Sequence, residues 1–395
     1  MLRDPAAPVS ASARSAIPPF HAMAMAARAS QREAAGGDVL HLEVGQPSTP
    51  APRAVRDAAR QALDHDPVGY TNAAGLWSLR ERIARHYGER YDVAIPPDQV
   101  IVTAGASAGF VLAFLTCFDP GDRVGVVTPG YPCYRNTLLA LGVEPVSLPV
   151  GPETRWAPTP ELVESAGPLD GLVVASPSNP TGTVLSRETL GALAAWCDGA
   201  AIRLVSDEIY HGLTFDAPAT SAREMTDDAV VLNSFSKYYS MTGWRLGWLV
   251  APAELVPAAE RFQQNLYICA PALSQLAAHA AFDCVDELDA HVARYAQNRV
   301  VLLDGLAAAT ITRSADSDGA FYVYADVGHL LDATGLADSL ALCEHWVDEL
   351  AVAATPGVDF DPDRGRRFVR FSYAGDAADI AEACRRLGTW VAART

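Results

Sequence analysis

Lys237 is the residue whose surroundings best suit covalent chemistry. It follows the short apolar run 230–232, with hydroxyls at Ser234 and Ser236 just before it and Arg245 eight residues beyond. Small hydroxyls and a fixed guanidinium suit a phosphate dianion. A lysine amine beside such a site can form a Schiff base with pyridoxal 5'-phosphate. That cofactor is an electron sink only while its pyridine nitrogen stays protonated, which calls for a buried carboxylate. Asp207, in the segment SDEIY, is the candidate. Asn179 and Tyr210 offer an amide and a phenol to the cofactor's phenolic oxygen, and Tyr131 a ring to stack on the pyridine. Each also has a plainer reading: Asp and Asn form turns, and tyrosines are commonly core aromatics.

These side chains need elements to hold them together. The chain alternates strand and helix through its middle, with strands expected at 99–103, 123–127, 171–175, 202–206 and 230–232. Such alternation predicts a mostly parallel sheet with helices on its faces. After each strand comes a polar cluster: Ala104-Gly105-Ala106-Ser107, TPGYPCY, SPSNPTG, DEIY and SFSK. Open α/β sheets bind ligands at the carboxyl ends of their strands. Small residues such as Gly105, Ala106 and Ser107 at a strand-to-helix turn expose backbone N–H groups to an anion. The helix that follows is expected over 108–117.

Earlier in the chain, helices are expected at 20–35, 53–63 and 76–87, with a strand at 39–44. Gly45 opens GQPSTPAP, as a turn glycine or a point where backbone approaches a ligand. An Ala-rich helical run covers 271–306, with an interruption near 284–287. Beyond it, GAFYVYADV and RRFVRFSYA read as short strands among helices at 336–350 and 377–391, an α+β lobe.

With 395 residues, half of them hydrophobic and 19% charged, the chain suits a folded protein of one large or two smaller domains. A net charge of −17, from 30 basic and 47 acidic residues, argues against a nucleic-acid partner. The seven cysteines are odd in number and hold no C-x-x-C pair, and the histidines hold no H-E-x-x-H spacing. The expectation is a reduced, cytoplasmic location, no metal and no membrane span.

The motifs GQPSTP, YTNAAG, NPTG, DEIYHG, SFSKYYSMTGWRLGW and RFVRFSYA, in this order, resemble the class I/II aminotransferases of fold type I. The resemblance covers nearly the whole chain from about residue 20. It implies an α/β pyridoxal-phosphate-dependent transferase fold: a segment 16–55 belonging to the small domain, a large cofactor domain over 56–283 and a small α+β domain over 284–395; residues 1–15, which lack periodicity, read as a loose tail. It makes Lys237 the Schiff-base lysine and Asp207 the pyridinium partner, with Asn179 and Tyr210 on the phenolic oxygen and Tyr131 on the ring. Gly105, Ala106, Ser107, Ser234, Ser236 and Arg245 then surround the phosphate, with Tyr70 reaching it from the other subunit of a homodimer. Arg370 pairs with the substrate α-carboxylate, helped by Gly45 and Asn179. The implied activity is ping-pong transfer of an amino group from an L-amino acid to a 2-oxo acid; a carbon–sulfur lyase or a non-catalytic cofactor-binding regulator could use the same scaffold.

Two segments depart from the family pattern. ATPGVDFDP carries Asp361 where glycine is usual, and HAMAMAARA replaces a proline-led N-terminal segment. The stretches 20–26 and 45–50 offer Phe20, His21, Met23 and Met25 and no arginine, which favours neutral or aromatic donors, with 2-oxoglutarate or pyruvate as acceptor. Arg28 or an arginine of the partner subunit is the route by which a second cation could enter.

Overall fold

The computed structural model describes residues 11–394. Most of the tail expected over 1–15 lies outside those residues. The central sheet has seven strands: β1 (Val100–Thr103), β2 (Arg123–Thr128), β3 (Glu144–Pro149), β4 (Gly171–Ala175), β5 (Arg203–Asp207), β6 (Val230–Ser234) and β7 (Gly247–Val250). Their order is β1-β7-β6-β5-β4-β2-β3, and β7 alone runs against its neighbours. Because β7 is antiparallel to both β1 and β6, those two strands point the same way. The carboxyl ends of β1, β2, β4, β5 and β6 therefore share one edge, and the five polar clusters share it too.

The inner strands are continuous Val, Ile and Leu runs buried on both faces, as parallel strands under helical layers are. Edge strand β3 reads differently because much of its surface is open and prolines bracket it at Pro145 and Pro149. Strand β7 lies inside the lysine-bearing segment. Neither has a sequence signal of its own.

A second, antiparallel sheet holds β8 (Thr312–Arg313), β9 (Tyr322–Asp326), β10 (Thr355–Pro356) and β11 (Phe368–Ser372) in the order β10-β11-β9-β8. Arg370 sits on β11, opposite Tyr324 on one side and Thr355 on the other. It is therefore an interior-strand residue.

The helix expected at 20–35 is His21–Ala34, packed against the helix Ser339–Leu350. The strand expected at 39–44 shrinks to Leu40–His41, paired in parallel with Val352–Ala353. Its ladder ends because the carbonyl that would continue it, that of Leu42, accepts the Ser372 N–H at 2.7 Å, while the Glu43 carbonyl accepts the side chains of Arg370 and Thr355. The helices Arg53–His65, Trp77–Tyr91 and Ala377–Ala392 lie where the periodicity puts them. The long run breaks slightly earlier than expected, into Ala272–Ala278, a 3₁₀ stretch His279–Asp283 and the 24-residue helix Val285–Ala308. The helix expected from 336 begins at Ser339, where Asp338 accepts the N–H groups of Leu340 and Ala341, both at 3.0 Å.

Candidate active site

The common edge opens into a cavity of about 430 Å³ whose lining includes Lys237, Asp207, Asn179, Tyr210, Tyr131, Ser234, Ser236, Ala106, Ser107, Arg245, Gly45 and Arg370. The structure thus gathers twelve of the residues singled out by sequence, and Gly105 stands directly behind Arg245. Tyr70 is the exception. It is 83% exposed and does not line the cavity.

Lys237 follows the end of β6 and sends its amine into the cavity, where it donates to the carbonyl of Gly45. The ring of Tyr210 lies 5.6 Å from that amine. Burial, then the positive field of Arg370, pushes the Lys237 pKa down to about 8, against the pull of Asp207. A substantial fraction of the amine is then neutral near physiological pH, as a nucleophile or base requires.

Asp207 ends β5 and is 3% exposed. One carboxylate oxygen accepts the Ile209 N–H at 3.1 Å, and the other accepts the phenol of Tyr134. Burial raises its pKa to about 6, opposed by Tyr134, the Ile209 N–H and Lys237. A buried carboxylate lining a cavity suits a protonated ring nitrogen. Tyr134 escaped the sequence reading. Its signal was the second tyrosine of TPGYPCY, three residues past Tyr131, where a proline-started helix, Pro132–Leu141, carries it inward.

Arg370 is 2% exposed and held through both Nη atoms, its buried Nε having no hydrogen-bond partner among the described residues. Its Nη1 donates to the Asn179 side-chain oxygen at 2.9 Å, and its Nη2 donates to the Glu43 carbonyl at 2.6 Å and the Thr355 hydroxyl at 3.0 Å. The guanidinium lies 4.3 Å from the Tyr322 ring and 4.9 Å from the Phe360 ring. No carboxylate pairs with it among the described residues. A buried guanidinium without a counter-ion suits an incoming carboxylate.

Tyr322 is the other residue sequence reasoning missed. Its hydroxyl lies 2.6 Å from that of Tyr210, and a methyl at Gly45 would overlap it. Gly45 is thus required for a close approach, and the neighbour is Tyr322.

The opposite end of the cavity suits a phosphate. The helix Ala106–Cys117 starts there with no side chain capping it, so its first N–H groups and its dipole face the space. Gly105 has φ 83°, and a Cβ there would come within 2.6 Å of the Arg245 guanidinium. Ser234 and Ser236 complete the rim; the Ser234 hydroxyl accepts the Ser236 N–H at 3.0 Å. An amine, a buried carboxylate and this anion cradle fit pyridoxal phosphate, and the residues named could hold its carbonyl, ring nitrogen and phosphate.

Phe20, Ala22, Met23 and Ala26 form the remaining wall. Met25, expected there, is 2% exposed in the protein core, and His21 is absent from the lining. Helical geometry explains the change, because positions 22, 23 and 26 share a face that 25 does not. Arg28 turns outward, its Nε donating to Asp348 at 3.0 Å, so it brings no cation to the cavity.

An α/β sheet with a lysine and a buried aspartate at its carboxyl edge, facing an arginine without a counter-ion on a second sheet, defines a class, and comparison with known proteins agrees. The family model for aminotransferase class I and II matches residues 37–387, and the chain belongs to that family. It is 51% identical over 383 residues to a valine–pyruvate aminotransferase of Mycobacterium tuberculosis, covering 96% of this chain and 97% of that one. The fold superposes with a TM-score of 0.94 on the crystal structure of an aminotransferase from Mycobacterium tuberculosis, at 50% identity, covering 98% of this chain and 100% of that one. An aspartate aminotransferase from Thermus thermophilus solved with maleate gives a TM-score of 0.90 at 30% identity, covering 96% and 99%. The protein is an aminotransferase that moves an amino group to a 2-oxo acid, and the family generally depends on pyridoxal phosphate.

Proposed function

We propose that this enzyme uses pyridoxal phosphate to transfer the amino group of a neutral L-amino acid, valine foremost, to pyruvate. The observation that carries the reading is the cation content of the cavity: among the described residues, Lys237, Arg245 and Arg370 are its only cationic lining residues. Lysine serves the amino group, Arg245 the phosphate and Arg370 the α-carboxylate, which leaves no cation for a second carboxylate. The side-chain wall is apolar, and the 51% identical relative is named for valine and pyruvate. An aromatic donor remains compatible with that wall.

When bound, pyridoxal phosphate supplies a carbonyl that captures the amino group and a conjugated ring that takes up the electrons released at Cα. Asp207 holds a proton on the ring nitrogen. Asn179 uses its oxygen on Arg370, leaving its amide N–H groups to donate, and Tyr210 donates beside it. Lys237 would take the Cα proton on Nζ and deliver it to the cofactor carbon that captured the amino group, so that the nitrogen stays behind when the 2-oxo acid leaves. The first 2-oxo acid leaves before the acceptor binds, so initial-rate plots are parallel.

The same proposal includes two lobes, 56–283 around the large sheet and 284–395 joined by 16–55. It is supported by the pairing of Leu40–His41 with Val352–Ala353. It also includes a homodimer in which Tyr70 reaches the partner's phosphate. A cytoplasmic location suits the seven free thiols, and no described helix is long and apolar enough to cross a membrane.

Specificity constants for valine, leucine, alanine, methionine, phenylalanine and aspartate, against pyruvate and 2-oxoglutarate, test the reading. Valine or another neutral donor ahead of aspartate by about tenfold supports it. Aspartate ahead of all five refutes it, and ammonia release in place of amino transfer would identify a lyase.

A further inference from the structure

The helix that carries the cavity's apolar wall has no cap of its own. His21–Ala34 begins after Phe20, whose side chain accepts no hydrogen bond, and an uncapped first turn leaves N–H groups without partners. Two of them are met from across the fold. One oxygen of Asp359 accepts the His21 N–H at 2.9 Å, and the other accepts the Ala22 N–H at 2.8 Å. Asp359 is 1% exposed and has no arginine, lysine or histidine ion-pair partner among the described residues. The helix terminus, ahead of the more distant fields of His21 and Arg370, offsets its charge.

Asp359 belongs to the 3₁₀ turn Gly357–Asp359, which leaves β10 next to the strand of Arg370. The turn is tightly held: a methyl at Gly357 would collide with the Gly365 carbonyl, and Arg135 reaches the Asp359 carbonyl at 3.4 Å. The next residue, Phe360, is fully buried and lies under the Arg370 guanidinium. One short turn therefore touches both the carboxylate receptor, through Phe360, and the apolar wall, through Asp359. The spacing between those two features sets how large a side chain fits between them.

We propose that Asp359 is a positioning residue for donor selectivity: by capping the helix His21–Ala34 it seats Phe20, Ala22, Met23 and Ala26 at a fixed span from Arg370. This rests on the reading of the cavity as a neutral amino-acid site. Donors whose side chains reach the wall depend on the clasp, and alanine, whose methyl stops short of it, does not.

The test compares wild-type, D359N and D359A holoenzymes in two measurements. In the first, D359A lowers kcat/KM for valine and leucine about tenfold or more relative to alanine, chiefly through KM, with D359N between, since an amide keeps one acceptor. The kcat for alanine and the visible absorbance of the holoenzyme stay near wild type. In the second, amide hydrogen exchange speeds up over 21–26 in D359A and is unchanged over 234–245, a readout independent of any substrate. Equal losses for alanine and the branched donors, or unchanged exchange over 21–26, overturns the proposal. Faster exchange in an enzyme whose wild type prefers aspartate overturns the donor reading and leaves the clasp itself standing. Should D359A fail to fold, D359N carries both measurements.

Discussion

Asp207 shows how a carboxylate is tuned by its neighbours. Burial raises its pKa to about 6, and the Tyr134 phenol is the first of the groups that oppose the rise. On the proposed cofactor reading, Asp207→Asn removes the charge that would keep the ring nitrogen protonated; turnover should fall by several orders of magnitude, about 3 to 5 kcal/mol of barrier. A variant within about tenfold of wild type, measured with the cofactor saturating, would assign Asp207 a purely structural role. Tyr134→Phe is subtler. Losing the donor raises the Asp207 pKa further, so at a given acidic pH less of the carboxylate is ionised. The acid limb of the kcat/KM profile for the amino donor should therefore move to higher pH, with the alkaline limb unmoved; an unshifted acid limb means the phenol does not support the charge. Lys237, Asp207, Asn179, Arg245 and Arg370 could be found by reading because each is a charged or amide group in a motif at a strand end or on a strand. Tyr134 and Tyr322 could not. A tyrosine that binds a carboxylate or another phenol looks, in sequence, like any core aromatic.

At the scale of elements, the segment after Leu40–His41 ties the sheets together. Glu43 gives its carbonyl to Arg370, Gly45 gives its own to Lys237, and Gly45 rests against Tyr322. Gly45→Ala must push the segment or Tyr322 aside, at a cost of about 1 to 3 kcal/mol in stability. The KM for every amino donor should rise with it, because the carbonyl framing Arg370 moves. Adding Tyr322→Phe removes the colliding hydroxyl, so the double variant should melt closer to the Tyr322→Phe single than Gly45→Ala does to wild type. Additive losses in the thermal melts would place the strain elsewhere. Elements with strong periodicity were legible within a few residues, such as the helices at 53–65 and 77–91. Strands β3 and β7 were not, since one is an open edge and the other is four residues inside a motif. The strand at 39–44 was overextended because its apolar alternation continues past the point where the Ser372 N–H takes the Leu42 carbonyl and side chains take that of Glu43. Asp361, the departure noted in ATPGVDFDP, closes a local turn by accepting the N–H groups of Asp363 and Arg364 at 3.1 and 2.9 Å.

The whole molecule leaves one face unexplained by its own core. Tyr70, Trp77, Leu266 and Ile268 are all at least 49% exposed. They come from two stretches that Gln263 and Gln275 stitch together, through Ala73 at 2.6 Å, Leu76 at 2.8 Å and Thr71 at 3.1 Å. Ile268 also holds φ at 66°, a left-handed conformation that a β-branched residue adopts only under constraint. Exposed apolar groups held this firmly suit the proposed two-fold interface, where the same patch would meet itself and Tyr70 would pass to the neighbouring site. Sedimentation should then give twice the 41.9 kDa chain mass across the micromolar range. Ile268→Glu together with Leu266→Glu should yield monomers, because two buried like charges on each side cannot be accommodated at a two-fold axis. Those monomers should lose cofactor affinity without a mutation in the cavity itself. Tyr70→Phe should stay dimeric and weaken cofactor binding about tenfold, the loss of one hydrogen bond to a charged group. A wild-type chain that sediments as an active monomer, or a Tyr70→Phe variant with unaltered cofactor affinity, refutes the shared site.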